Sequence, residues 1–143
     1  MRPAIWFMAF LAASSLCHAE VTAKDAWVRG TVPAQKSTGA FVTLTSSTDA
    51  KVVGVSSPIA KIVEIHESMT MGGVNHMHEI ESMALPAGRA VQLKPGGHHV
   101  MLMGLAKPLR AGESVPLVFT IEEKGGKRTR LEVKAEVRPL GGR

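Results

Sequence analysis

Methionine and histidine are concentrated in one part of this chain. Of its eight methionines and six histidines, all but Met1, Met8 and His18 lie between His66 and Met103. Methionines that only fill gaps in a hydrophobic core would be spread over several elements of the fold. A cluster that mixes the two residue types therefore indicates a metal site.

The donor atoms of these side chains narrow the choice of metal. Thioether sulfur is soft, neutral and polarisable, so it binds Cu(I) well and hard cations such as Mg²⁺ or Ca²⁺ poorly. Imidazole nitrogen accepts copper in either oxidation state. Zinc is the main competitor, but zinc sites rarely include methionine. The composition of the cluster therefore predicts Cu(I) as the bound metal, with Cu(II) as a secondary possibility.

The first 19 residues have the layout of a secretory signal peptide. Arg2 precedes an apolar run at 4–16, and Ala19 is a small residue at the expected cleavage position. A membrane-spanning helix needs about 20 apolar residues, and this run is shorter than that. An uncleaved anchor is the alternative, and a lipid anchor on Cys17 is disfavoured because Leu16 before it is not small. The sequence thus predicts a periplasmic protein without stable membrane insertion.

Cleavage after Ala19 would leave residues 20–143 as a single domain and would remove Cys17, the only cysteine. A domain without cysteine has no disulfide, no thiolate zinc site and no blue-copper centre. The net charge of the chain is +5. One basic cluster, at 124–130, is interpreted either as a solvated hairpin or as a surface for an acidic partner or membrane. Nucleic acid is disfavoured as a partner because the chain is expected to be exported and has few aromatic residues to stack on bases.

Short segments with strand character are separated by glycine, proline, serine and aspartate along the whole mature chain. No helical periodicity is sustained over ten residues. This pattern predicts an all-β sandwich or barrel. The predicted strands are 21–28, 39–45, 50–56, 62–68, 74–80, 90–94, 98–103, 115–123 and 129–137, with the last two forming a hairpin around Gly125 and Gly126.

Successive side chains of a strand point to opposite faces, which selects the candidate ligands. On two of the predicted strands the aliphatic residues define a core face, with Val63 and Ile65 on one strand and Val100 and Leu102 on the other. On a third strand Val74 and Ile80 share one face. The opposite faces carry His66 on the first strand, Met77 on another, and His99, Met101 and Met103 together on the last. His66, Met77, His99 and Met101 can therefore lie off the core and near the surface, where a partner protein could reach them.

The spacing of these four residues resembles a known signature. It reads His-x10-Met-x21-His-x-Met, which is the signature of the periplasmic copper chaperone family called PCuAC. The surrounding sequence is similar to that family as well, in Ile65-His66-Glu67, in Leu-Pro-Ala-Gly at 85–88 and in Leu-Lys-Pro-Gly-Gly-His-His-Val-Met-Leu-Met-Gly-Leu at 93–105. The resemblance covers about 21–137, nearly the whole mature chain.

The resemblance implies a cupredoxin-like Greek-key β-sandwich or barrel that holds one Cu(I) with His66, Met77, His99 and Met101. It also implies delivery of copper towards the CuA centre of a haem-copper oxidase. The expected partner is the copper-accepting periplasmic domain of an oxidase subunit or a thiol-bearing assembly protein. A copper resistance or storage protein without an oxidase client is the alternative. An enzyme is disfavoured, because four protein ligands leave little room for an open coordination position.

Other residues near the four candidates receive less specific predictions. Met83 and Met103 are expected to pack around the site, and His76 and His78 to be exposed or structural. Met69 and Met71 are placed in a hairpin loop, where they could act as auxiliary ligands. Trp27 is interpreted as a core or rim aromatic, and Glu64, Glu67 and Glu79 as solvated charges. The predicted protein is a monomer, and the last residues, 138–143, contain no His or Met for a Cu(II) site in the tail.

Overall fold

The computed structural model describes residues 19–139, and every regular secondary-structure element in this range is a β-strand. The strands are β1 (Val21–Arg29), β2 (Ser37–Ser46), β3 (Ala50–Ser56), β4 (Ala60–Met71), β5 (Val74–Glu79), β6 (Met83–Leu85), β7 (Ala90–Gln92), β8 (His99–Leu105), β9 (Ser114–Glu123) and β10 (Arg128–Arg138). The all-β prediction is therefore confirmed. Among the described residues there is no helix with the length and apolarity to cross a membrane. The predicted signal peptide lies outside this range except for Ala19.

The strands form one sheet in the order β5-β4-β8-β2-β1-β10-β9-β3-β6, and β7 pairs with β2. The pairing of β1 with β10 is parallel, and the other pairings are antiparallel. This order differs from the order along the chain. It makes β4, β5 and β8 neighbours, although about twenty residues separate β5 from β8 in the sequence. The three strands that carry the candidate ligands are thus adjacent.

A single hydrophobic cluster fills the space between the strands. On β9 the side chains of Val115, Leu117, Phe119 and Ile121 are buried and alternate with more exposed ones. This period of two is the pattern of a strand with one face on the core. The predicted core residues Val100 and Leu102 are fully buried. The alternation argument that assigned them to the core was therefore right.

The predicted terminal hairpin is confirmed as β9 and β10. Gly125 and Gly126 both adopt positive φ, at 106° and 92°, which glycine tolerates without a steric penalty. The basic side chains of this hairpin are exposed, and that of Arg128 forms an ion pair with Glu122 at 3.1 Å. The exposure of these side chains is compatible with both interpretations of the basic cluster, a solvated hairpin and a surface for an acidic partner or membrane.

Two parts of the structure differ from the sequence-based expectation. The three-residue strand β6 was not predicted, and it places Met83 opposite Val52 inside the hydrophobic core, not around the candidate site. Strand β4 also continues to Met71, so Met69 and Met71 lie in a strand and not in a loop. The turn to β5 needs only Gly72 and Gly73, both at positive φ, which suits the tight turn of a two-residue hairpin.

Candidate metal centre

The register between β4 and β8 pairs the two candidate histidines. His66 lies directly opposite His99, and their ring centroids are 5.7 Å apart. In the same register Met101 lies opposite Glu64. Directly opposed residues share a face of the sheet, so His66, His99 and Met101 are on one face. The core residues of both strands alternate onto the other face.

Met77 reaches the same face from the edge strand β5. It pairs with Ser68, which lies two residues beyond His66 on β4 and therefore points in the same direction. Met77, His99 and Met101 line one cavity of about 220 Å³. The structure thus brings the four predicted residues together: three line the cavity, and the ring of His66 is against that of His99.

The imidazole of His66 has one nitrogen in use and one without a partner. Its Nε2 lies 2.8 Å from Glu64 Oε2. A carboxylate oxygen can only accept, so Nε2–H is the donor and Nδ1 of the neutral ring carries the lone pair. Nδ1 is buried and has no hydrogen-bond partner among the described residues. A buried polar atom without a partner costs ~1–3 kcal/mol, and a metal ion bound at Nδ1 would remove that cost.

His99 is arranged in the complementary way. Its Nδ1–H donates to the carbonyl oxygen of Gly97 at 3.2 Å, which leaves the Nε2 lone pair available. The side chain is almost fully buried, with 6% exposed. Burial is the largest cause of a pKa below the ordinary 6.5. The Gly97 hydrogen bond opposes this shift of the pKa, and electrostatic interactions with His66, Arg29 and His98 add to it. The neutral ring that this shift favours is the form that binds metal.

The site is buried at one end and open at the other. His99 is enclosed because Phe41, Pro95 and Gly96 line the same cavity around it. Met77 is 55% exposed on the edge strand. The sequence predicted that all four residues lie near the surface, and the structure shows that His99 lies much deeper than Met77.

Several residues of this site were not found by sequence reasoning. Phe41 lies in β2, with its ring centroid 6.4 Å from that of His99 and 4.5 Å from that of Trp27. The guanidinium of Arg29 lies 5.6 Å from the Phe41 centroid and also lines the cavity. Gly39 lies opposite Met101, where it leaves room for the Phe41 ring. No local sequence pattern predicts that these residues belong to the site, because their position near His99 and Met101 depends on the pairing of β2 with β8.

The sequence prediction for Glu64 was wrong. It is not a solvated charge but the hydrogen-bond partner of His66. His76, His78, Met69 and Met71 lie on the opposite face of the β4–β5 hairpin from Met77. Among residues 19–139, no three His, Cys, Asp or Glu side chains are grouped closely enough to hold an ion.

The fold and the site define the class of protein. The copper-bound PCuAC domain from PmoF2 has the same fold, with a TM-score of 0.65 and 19% identity, over 86% of this chain and 99% of that one. The Cu(I)-bound solution structure of DR1885 from Deinococcus radiodurans is 33% identical with a TM-score of 0.59, over 79% of this chain and 74% of that one. The cupredoxin-like fold and the resemblance to PCuAC domains are both confirmed.

The chain belongs to the family described as "Putative lipoprotein LpqE-like", whose model matches residues 21–137. A relative from Leifsonia xyli subsp. xyli, "Putative lipoprotein Lxx21020", is 34% identical over 115 residues, which are 80% of this chain and 69% of the relative. A lipoprotein family is an exported one, in agreement with the predicted export of this chain.

Proposed function

We propose that this protein is a periplasmic metallochaperone that holds one Cu(I) ion with His66, Met77, His99 and Met101. The observation that carries the proposal is the convergence of two imidazoles and two thioethers on one face of β4, β5 and β8. One of these imidazoles has a buried nitrogen without a partner. The similarity to the Cu(I)-bound form of DR1885 supports the same choice of metal.

The charge of the donor set favours the lower oxidation state of copper. All four proposed ligands are neutral, and the guanidinium of Arg29 lines the same cavity. Neutral ligands do not offset the positive charge of the metal, and the nearby guanidinium adds a further positive charge. Both effects disfavour the doubly charged Cu(II) more than the singly charged Cu(I). Glu64 acts through His66, since its carboxylate accepts the Nε2–H and orients the ring. This is the usual role of a carboxylate behind a histidine ligand.

The difference in burial along the site suits transfer of the metal to a partner. Met77 is exposed on an edge strand and would be the first ligand that an incoming thiolate displaces. His99 is buried and would release the ion last. Stepwise displacement of neutral ligands does not require the protein to unfold. Four protein ligands also leave little room for substrate at the metal, which argues against an enzyme.

We further propose that the client is the CuA centre of a haem-copper oxidase, reached directly or through a thiol-bearing assembly partner. This step rests on the resemblance to PCuAC chaperones. The alternative is copper resistance or storage without an oxidase client. A deletion strain distinguishes the two: loss of oxidase activity at low copper supports delivery, whereas copper sensitivity with normal oxidase activity contradicts it.

The proposed site is tested by anaerobic titration of the mature protein with Cu(I) against a chromophoric chelator. His66→Ala, Met77→Ala, His99→Ala and Met101→Ala should each lower the affinity of the first equivalent by at least roughly tenfold, because each removes a ligand. His76→Ala and Met69→Ala are matched controls, since they remove the same side chains from the other face of the hairpin. A first equivalent that depends on the controls and not on the four would refute the assignment.

A further inference from the structure

The β4–β5 hairpin has a second face that the proposed site does not use. Strand alternation places Glu67, Met69 and Met71 of β4 on this face, opposite His78, His76 and Val74 of β5. The same face of β4 carries the buried Ile65 nearer the start of the strand. Beyond Ile65 the hairpin leaves the core, so this face is open to solvent.

The apolar side chains on this face are unusually exposed. The exposed fractions are 42% for Met69, 61% for Met71 and 55% for Val74. These residues do not contribute to the hydrophobic cluster of the domain. Exposed apolar side chains gathered at one place commonly mark a binding site. Because two of the three are thioethers, the structure points to a ligand that prefers sulfur.

The register brings one imidazole within reach of both thioethers. Met69 lies directly opposite His76, and such pairs have Cβ atoms about 4.5–5.5 Å apart. Met71 is the diagonal neighbour of His76, at about 7–8 Å, which a side chain as long as methionine can span. Two sulfur atoms and one nitrogen can therefore converge on one point without any movement of the backbone.

Of the imidazoles near this face, His76 is the one without a competing partner. The two oxygens of Glu67 lie 3.4 Å from His78 Nε2 and 3.8 Å from His98 Nε2, so that carboxylate is shared by both rings. Among residues 19–139 the side chain of His76 has no hydrogen bond or ion pair. Its lone pair is available to a metal.

We propose that Met69, Met71 and His76 form a second Cu(I) site on the face of the hairpin opposite the first. Its S₂N donor set is soft and neutral, which selects Cu(I) over Zn²⁺ and over hard cations. The site is weaker than the first, because its three side chains are exposed and must be ordered on binding. His76 is adjacent to Met77 in the chain, so the two sites lie on either side of strand β5. The second site can bind whether or not the first one does.

The test uses the mature protein with ¹³C-labelled methionine methyl groups, titrated with Ag(I) as a soft stand-in that is not oxidised by air. The first equivalent should shift the methyl signals of Met77 and Met101. The second should shift those of Met69 and Met71, at an affinity at least tenfold weaker. Met83 is an internal reference that should not move, because it is buried in the core.

Variants identify the donors and separate the two sites. Met69→Leu with Met71→Leu keeps apolar side chains of similar size, removes both sulfurs, and should abolish the second equivalent while leaving the first within twofold. His99→Ala with Met101→Ala should abolish the first equivalent and keep the shifts of Met69 and Met71. The proposal is overturned if these two methyl signals never shift, or if they shift only together with Met77 in the first equivalent.

Discussion

His66 on β4 and His99 on β8 lie directly opposite each other, with their ring planes inclined at 62° and their centroids 5.7 Å apart. Each ring is fixed by a different acceptor. Glu64 takes the Nε2–H of His66, and the carbonyl of Gly97 takes the Nδ1–H of His99. The neighbouring rings therefore present different nitrogens, Nδ1 from His66 and Nε2 from His99. The atoms proposed as ligands are therefore positioned by hydrogen bonds of the fold itself.

We expect Glu64→Ala to lower the affinity for Cu(I) by roughly 10–100-fold, because His66 loses the acceptor that fixes its tautomer and orientation. Chelator competition measures the change, and ¹⁵N NMR of the imidazoles should show His66 losing its preference for the Nε2–H tautomer. Glu67→Ala is the matched control, since Glu67 contacts His78 and His98 on the other face. An affinity for Glu64→Ala that stays within twofold of wild type would show that Glu64 does not support the site.

We expect Gly39→Ala to disturb the site through Phe41. A Cβ at position 39 would lie 3.1 Å from Cζ of Phe41, whose ring also contacts Trp27 and is near His99. Crowding of this kind costs ~1–3 kcal/mol of folding stability. Urea unfolding of the apoprotein measures that cost. Cu(I) affinity should fall as well, because Phe41 lines the same cavity as His99 and a shift of its ring changes the surroundings of that imidazole.

Gly54→Ala is the control for this substitution. A Cβ at Gly54 meets only Thr120, at ordinary distances of 3.7 and 3.8 Å. Without crowding, a change from glycine to alanine stabilises by about 0.4–1 kcal/mol through the unfolded chain. Equal effects of the two substitutions would contradict the role given to Gly39.

Strand alternation was sufficient to predict that the four candidate residues lie off the core, and the resemblance to PCuAC domains distinguished them from the other Met and His residues. His99 and Met101 are two residues apart in β8, so their side chains share a face. His66 points to the other face of β4 from Ile65, and Met77 points to the other face of β5 from Val74. Their convergence requires only that β4, β5 and β8 be neighbours. Whether all four bind metal remains a prediction that the titrations test.

The supporting residues could not be predicted, because they depend on topology and on side-chain contacts between distant segments. Phe41 and Gly39 reach the site only because β2 pairs with β8. Glu64 resembles any other charged residue of a strand until its distance to His66 is known. Strand β6 was missed since three residues are too few to show a period of two.

We expect the mature protein to begin at Glu20. Ala19 before it is the small residue that signal-peptide cleavage expects. The carbonyl of Glu20 accepts from the Ser47 N–H at 2.9 Å, so a chain that begins at Glu20 is still held to the fold at its first residue. Intact-mass spectrometry of the exported protein checks the cleavage site. Cys17→Ser should leave that mass unchanged, because the residue is removed with the signal peptide. A diacylglyceryl group on Cys17, lost in the variant, would show lipoprotein processing instead.

We expect the free energy of unfolding of the apoprotein to decrease as the pH is lowered below about 6.5, because His99 is protonated more readily in the unfolded chain than in the fold. Its pKa in the folded state is lowered, chiefly by burial, from the 6.5 of an exposed imidazole. Between the two pKa values the unfolded chain therefore binds more protons than the folded one. The contribution of His99 to stability is fully present above pH 6.5 and is lost as the pH falls towards the folded-state pKa, at no more than about 1.4 kcal/mol per pH unit.

Two measurements check the sign of this effect. NMR titration of the His99 ring should give a midpoint below 6.5. Urea unfolding of wild type and His99→Gln should be compared at several pH values. As the pH is lowered, the free energy of unfolding should decrease more for wild type than for the variant. The variant has no imidazole at position 99 to protonate, and the other titrating groups are common to both proteins. A midpoint at or above 6.5 would mean that burial does not control the protonation of His99, and the neutral ring would then not be prepared for metal by the fold.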